Sequence, residues 1–246
     1  MGRIFAVAYG LVCYVLFLAV FLYAIGFVGG FVVPKGIDDG RPEGLVVALA
    51  IDALLLGVFA VQHSVMARPA FKAMWTRIVP TPAERSTFVL FSSLALALIC
   101  WQWRPIAHPV IWQVTTPWLV GLLWAFFGLG WVTVLSSTFL INHFDLFGLR
   151  QVWTYARRGE TPPPEFRVPL FYKVVRHPLY VGFIVAFWAA PRMTLGHLVF
   201  AAATTAYILI AIQLEEHDLI GVFGDSYRRY QLTVSMIVPW VPRKHA

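Results

Sequence analysis

Trp118-Leu-Val-Gly-Leu-Leu-Trp-Ala-Phe-Phe-Gly-Leu-Gly-Trp-Val-Thr-Val-Leu-Ser-Ser-Thr-Phe-Leu-Ile141 contains no ionisable side chain. A helix needs about 20 apolar residues to cross a hydrocarbon core of roughly 30 Å, so this run is long enough to span a bilayer. Five other apolar runs surround it: Ile4 to Val33, Leu45 to Met66, Phe88 to Trp103, Leu179 to Ala190 and Leu195 to Leu214. The third is short. The fifth, ended by Pro191, is too short to cross unless it tilts, lies beneath headgroups or forms a hairpin with the sixth. The expected fold is therefore an all-α polytopic membrane helix bundle of five to six transmembrane segments.

Composition agrees with lipid as the solvent. The chain of 246 residues is 59% hydrophobic and 13% charged, with a mean hydropathy of +0.73, outside what a soluble domain with an ordinary polar surface sustains. The first run exceeds a signal-peptide h-region and no small-residue cleavage site follows it, so it reads as a retained helix. Gly26, Gly29 and Gly30 near its end suggest close packing on a neighbouring helix.

The net charge of +7 raises the question of nucleic acid, and the placement of the basic residues answers it. With the N-terminus cytoplasmic, only Lys35, Arg41, Arg104 and Arg192 fall outside, while Arg68, Lys72, Arg85, Arg176, Arg243, Lys244 and the others fall inside. The positive-inside rule and anionic lipid explain that asymmetry. It places both termini in the cytoplasm and leaves no need for nucleic acid; no obligate protein partner is evident. Cys13 and Cys100 each lie within an apolar run, which excludes a disulfide framework and a zinc site and leaves no metal expected.

Residues 1–141 read as a membrane bundle. Residues 142–246 read as a cofactor-binding and catalytic region with two membrane helices and a charged tail. The connection from Asn142 to Leu170 carries Pro162, Pro163 and Pro164, which favour an extended arm. The segment from Arg68 to Arg85 reads as an amphipathic interface stretch, and Trp101, Trp103, Trp112 and Trp118 as boundary anchors.

Chemistry concentrates in two stretches. In Tyr172-Lys-Val-Val-Arg-His-Pro-Leu-Tyr-Val-Gly182, proline suits the first position of a helix and pushes His177 out of helical geometry. A helix N-terminus beside Arg176 can hold a carboxylate, or it can be an interfacial start with a snorkelling arginine. In Glu215-Glu-His-Asp-Leu-Ile-Gly-Val-Phe-Gly-Asp-Ser-Tyr-Arg-Arg-Tyr230, acids crowd a helix C-terminus that disfavours them, which suits a cationic ligand. Asp225 is expected to cap the next helix, with Tyr227 and Tyr230 on one face; the alternative is a solvated helix end with aromatic anchors. Together the stretches suit a zwitterionic sulfonium nucleotide. Arg176 would take its carboxylate, Glu215 or Glu216 its amino group or ribose, and the tyrosines its adenine and sulfonium.

The pair R-H-P-x-Y-x-G and E-E-x-x-L-x-x-x-F-G-x-x-Y-x-x-Y resembles the isoprenylcysteine carboxyl methyltransferase and phospholipid methyltransferase superfamily. That resemblance implies an S-adenosylmethionine site built from Arg176, His177, Pro178, Leu179, Tyr180, Gly182, Glu215, Glu216, Tyr227, Arg228 and Tyr230. Gln62-His-Ser-Val-Met-Ala-Arg-Pro69, Glu84-Arg-Ser86, Trp101-Gln-Trp-Arg-Pro105 and Ser137 to Trp153 are similar to the bacterial methanethiol S-methyltransferases, which extends the resemblance over nearly the whole chain. Nitrite and nitric oxide reductase accessory proteins share part of the Gln62 region.

The resemblance implies methyl transfer to a small thiol, giving dimethyl sulfide. Polar groups at a membrane edge are costly unless paired or used. His143, with Asp145 beside it, is thus the first candidate for a base that generates thiolate, and His63 the second. Asp52 has no assignment. A prenylated or phospholipid substrate, a sterol-type reductase using NADPH through Arg228 and Arg229, and a non-enzymatic accessory role remain alternatives.

Overall fold

The structure is a computed structural model that describes residues 2–159 and 165–239. Pro162 to Pro164, Arg243 and Lys244 lie outside the described residues. Within them, five helices are long and apolar enough to cross a membrane: α1 (Arg3–Gly29), α2 (Leu45–Ala67), α4 (Thr81–Gln102), α5 (Pro117–Ile141) and α9 (Leu195–Phe223). The protein is an all-α polytopic membrane protein. Shorter helices α3 (Pro69–Trp75), α6 (His143–Leu146), α7 (Leu149–Ala156), α8 (Pro178–Trp188) and α10 (Asp225–Thr233) gather around them, and strands β1 (Val110–Gln113) and β2 (Arg192–Thr194) form one antiparallel pair.

Two helix boundaries differ from expectation, and both differences move charge into the bundle. The third span begins at Thr81 rather than Phe88, with Pro82 in its first turn, so Glu84 and Arg85 belong to a helix. The last span continues to Phe223, which places Glu215 and Glu216 in its interior rather than at its end. Helical periodicity carries on through these residues, with Glu216 bonded to Arg176 and His177, Glu215 to Tyr180, and Arg85 Nε to Leu146 O.

The short fifth segment packs along α5 more extensively than any other helix pair. Small residues permit the contact: a Cβ on Gly182 would lie 2.7 Å from the Gly130 carbonyl oxygen, and one on Gly130 would lie 2.7 Å from the Ala186 nitrogen. Since Gly182 also meets Val134, Pro178 falls beside the last turns of α5, inside the bundle. α8 spans only about 16 Å at the helical rise of 1.5 Å per residue. It then turns through Ala189 and Pro191 into β2, which pairs with β1, and the chain returns as α9. Of the expected alternatives, this is the hairpin.

Two local expectations change. Gly26 and Gly29 receive the chain's own return at Phe31 and Val33 rather than a neighbouring helix. Trp103 is fully buried against Phe27 and Phe200 in the main apolar cluster, whereas Trp101 and Trp118 stay exposed. Cys13 and Cys100 are free and buried.

Candidate active site

Pro178 occupies the first turn of α8, and His177 before it is non-helical at φ −126° and ψ 61°, as the ring's steric demand requires. The residues before the helix are clamped by a segment 60 residues later in the chain: Arg176 N–H donates to Ser235 O at 2.8 Å and His177 N–H to Met236 O at 3.2 Å. Both side chains are buried. A charged guanidinium in that position requires compensation.

Glu216 supplies it. Its Oε1 accepts from Arg176 Nε at 2.6 Å, His177 Nε2 at 3.0 Å and, more weakly, Tyr227 Oη at 3.4 Å; its Oε2 accepts from Gln231 Nε2 at 2.6 Å. Arg176 Nη1 donates to Val234 O at 2.5 Å and Gln231 O at 3.3 Å. Of the Arg176 nitrogens expected to meet a ligand carboxylate, Nε and Nη1 are held within the protein. The cation is committed to α9 and to the segment after α10, because a buried ion pair is stable only when its remaining donors and acceptors are also filled.

Glu215, one residue earlier, is different. Helical geometry turns it by about 100° from Glu216, and its side chain keeps 43% exposure. Tyr180 Oη donates to its Oε2 at 2.9 Å, and His177 Nδ1 lies 3.9 Å away. Around it, Tyr172 is held by Tyr230, whose hydroxyl donates to Tyr172 O at 2.5 Å. Tyr227 and Tyr230 share one buried face of α10 with ring centroids 5.8 Å apart, and Phe166 packs on both. Burial, joined by the Glu215 charge, holds the Tyr172 phenol above its ordinary range. Burial raises Tyr227 and Tyr230 likewise. All three are hydroxyl donors near neutral pH.

Other expected cofactor residues lie apart from this cluster. Gly182 faces α5, so close helix packing accounts for it; Leu179 is half-buried in the first turn of α8. Asp225 is the first residue of α10 rather than its cap, and pairs with Arg228 at 3.1 Å on an exposed surface. Arg229 is exposed too, so the basic pair needed for a 2′-phosphate does not point at Glu215.

The second polar region forms where α5 ends. Gly148, at φ +85°, closes the turn between α6 and α7, and a Cβ there would lie 2.7 Å from the Ser86 backbone nitrogen; only glycine meets both demands. His143 is buried, with Nε2 2.8 Å from the Tyr14 hydroxyl and Nδ1 2.8 Å from Thr138 Oγ1. Thr138 donates its own proton to Leu135 O at 2.7 Å, so it accepts from His143 Nδ1–H and leaves Nε2 to accept from Tyr14. Both ring nitrogens are thus engaged, and the ring stacks on Phe139 at 4.2 Å. Burial lowers the imidazole pKa. His63 lies on α2 between Phe59 and Phe88, with Nδ1 3.1 Å from Ser92 Oγ.

Among the expected catalytic residues, Asp145 lines a cleft formed by described residues. This cleft of about 270 Å³ is walled by Lys72, Glu84, Arg85, Asn142, Asp145 and Gln151. Arg85 Nε donates to Leu146 O at 2.7 Å, and Glu84, Asp145 and Glu215 all act on its charge. Sequence reading missed Arg85 and Lys72 as site residues, although a charge in an apolar helix is the kind of mark that finds them. It also missed Gln231 and the Val234 to Met236 clamp, which no local pattern announces.

The NnrU protein family profile matches residues 53–235. The chain is 54% identical to methanethiol S-methyltransferase of Crocosphaera subtropica over 99% of its own length and 95% of that protein's. It is 56% identical to methanethiol S-methyltransferase 1 of Bradyrhizobium diazoefficiens over 97% and 85%. With methanethiol S-methyltransferase of Mycobacterium tuberculosis it shares 53% identity over 100% of both chains. No solved structure matches.

Proposed function

The chain belongs to the NnrU protein family, and from that premise we propose that it is a thiol S-methyltransferase, carrying a methyl group from S-adenosylmethionine to methanethiol to give dimethyl sulfide. The observation that carries the reading is the meeting of the two distant stretches at Arg176, His177 and Glu216, beside a half-exposed Glu215 in a bundle whose relatives bear that name.

The residues fit the cofactor's chemistry. Glu215 keeps acceptor capacity beyond its one bond to Tyr180, suited to an ammonium or to ribose hydroxyls. Tyr172, Tyr227, Tyr230 and Phe166 offer aromatic faces and phenol donors, which suit adenine and a sulfonium. S-adenosylmethionine supplies, when bound, a methyl group on a sulfonium that departs as a neutral thioether. The chain's part is orientation and exclusion of water. The Arg176, His177 and Glu216 hub fixes the start of α8 against α9, which sets where Tyr180 and Glu215 point. A thiol must lose its proton to attack well, and free cysteine, a close analogue, has a pKa of about 8.5.

His143 acts as a positioning residue in this reading. Its bonds to Tyr14 and Thr138 tie the α5 to α6 turn to α1 and so place Asp145 at the cleft. His63 packs between α2 and α4. The protein sits in the bacterial cytoplasmic membrane with both termini inside, so that the site opens toward its cofactor supply.

The test offers labelled S-adenosylmethionine and, in turn, methanethiol, an isoprenylcysteine and phosphatidylethanolamine to the purified protein. Label is expected in headspace dimethyl sulfide alone. Label in the lipid fraction would overturn the substrate assignment. A C-terminal alkaline phosphatase fusion is expected to be inactive; an active one would reverse the topology.

A further inference from the structure

Arg176 spends Nε and Nη1 inside the protein, which leaves that guanidinium at most Nη2 for a ligand carboxylate. Two cations with more unfilled N–H donors wall the neighbouring cleft, Arg85 also lying over the Phe88 ring at 5.0 Å. Among the described residues, Lys72 Nζ and the two Nη nitrogens of Arg85 have neither a hydrogen-bond nor an ion-pair partner; Arg85 uses only Nε, toward Leu146 O. Burial, and after it the nearby Arg85 charge, hold the Lys72 amine below its ordinary range, while Glu84 and Asp218 act in the opposite direction.

The cleft is not simply basic. Glu84 and Asp145 line it beside the two cations, and Asp145 Oδ2 also lies 3.8 Å from Arg150 Nη1. Gln151 donates its amide to Asp145 Oδ1 at 2.9 Å, while its own Oε1 is buried with no hydrogen-bond partner. A buried acceptor of that kind calls for a donor. A lining that presents both cations and carboxylates together with an unfilled acceptor matches a zwitterion better than a phosphate, which Glu84 and Asp145 would repel. At about 270 Å³, the cleft is smaller than the ~300 to 1,000 Å³ typical of a whole-ligand pocket. It therefore suits one end of a larger molecule.

We propose that this cleft is the subsite for the α-amino-acid end of S-adenosylmethionine, with Arg85 and Lys72 taking the carboxylate and Asp145, Glu84 and the Gln151 carbonyl taking the ammonium. The assignment rests on the methyltransferase reading above and adds to it a set of ligands outside the two C-terminal stretches. The Glu215 charge acts on both Arg85 and Tyr172, and the nucleoside end is assigned to the tyrosine cluster at Tyr172 and Tyr230.

The experiment compares two ligands by calorimetric titration of the full-length protein in detergent: S-adenosylhomocysteine, which carries the amino-acid end, and 5′-methylthioadenosine, which lacks it. Arg85→Gln is expected to weaken S-adenosylhomocysteine by about ten- to hundredfold, the range for a charge-assisted hydrogen bond. It should leave 5′-methylthioadenosine within about twofold. If a melting curve shows that Arg85→Gln has lost its fold, Lys72→Gln carries the same comparison, with a smaller selective loss expected. Equal loss of both ligands in a folded variant, or no loss of either, overturns the subsite. Wild-type protein that binds neither ligand overturns the methyltransferase reading itself, and the subsite with it.

Discussion

The two ends of the helix bundle both bury charge, and they use it differently. At the end carrying β1 and β2, Lys35 Nζ donates to the carbonyls of Trp101 and Trp103 at 2.6 and 2.8 Å, and Asp52 Oδ1 accepts from Arg104 N–H at 2.8 Å. Thr194 Oγ1 donates to Asp38 at 2.6 Å, and Asp39 accepts from Gly36 N–H. Lys35 and Asp52 fasten the C-terminal end of α4, whose last carbonyls lack helical partners. At the other end, Glu216 and Arg176 are equally committed, but Lys72, Arg85 and the second oxygen of Glu215 retain hydrogen-bonding capacity. In a membrane protein a buried charge that fills a backbone end is structure. Leftover capacity alone does not separate the ends, since Asp52 Oδ2 is also buried without a hydrogen-bond partner; at the Arg85 end it coincides with an open cleft.

The strongest way to break this contrast is Glu216→Ala, which leaves Arg176 buried without its counter-ion. Removing one partner of such a pair costs about 3 to 5 kcal/mol, so thermal stability and S-adenosylmethionine affinity should fall together. Glu215→Ala should weaken affinity by about tenfold or more with an unchanged melting temperature. Stability loss from Glu215→Ala and none from Glu216→Ala would reverse the roles assigned to the two acids. At the opposite end, Asp52→Ala leaves the Arg104 N–H unpartnered and should cost about 1 to 3 kcal/mol of stability without changing cofactor affinity. Lost affinity in a folded Asp52 variant would show that the ends are not independent.

His143→Ala sharpens the contrast on the motif side. Because both ring nitrogens are engaged, the variant should lower turnover by a similar factor at every pH; selective recovery at alkaline pH would identify His143 as the base. The folded-state pKa of His143 lies below its unfolded value, so the unfolded chain binds the proton more readily. Wild-type stability should therefore fall as pH drops through about 6.5 and be flat above it, and His143→Gln should weaken that dependence. The smallest effect belongs to Arg228→Ala. Its exposed pair with Asp225 should be worth less than about 1 kcal/mol, with affinity unchanged.

Much of this organisation is legible from local pattern. The spans at 45–67 and 117–141 follow from uninterrupted hydropathy, and the start of α8 from the steric rule before Pro178. Local pattern failed where charge interrupts an apolar helix. Glu84 and Arg85 hide the first turns of α4, and Glu215 and Glu216 look like a helix end, because hydropathy alone cannot show that a charge has a partner on another element. Trp103 failed similarly: an indole beside a span boundary has the same sequence signature whether it anchors in headgroups or fills the core.

What the sequence by itself determined is the membrane bundle, the helix N-terminus at Pro178 and the residue types that suit a sulfonium nucleotide. These depend on run length, ring sterics and side-chain chemistry, all carried by neighbours along the chain. Only the tertiary structure decided which of two adjacent acids is bound up and which is open, that Arg176 pairs with Glu216 40 positions away, and that Arg85 and Lys72 line a cleft beside Asp145. Whether a charge is spent or available depends on the groups packed around it, and at this site those groups come from helices far apart in sequence.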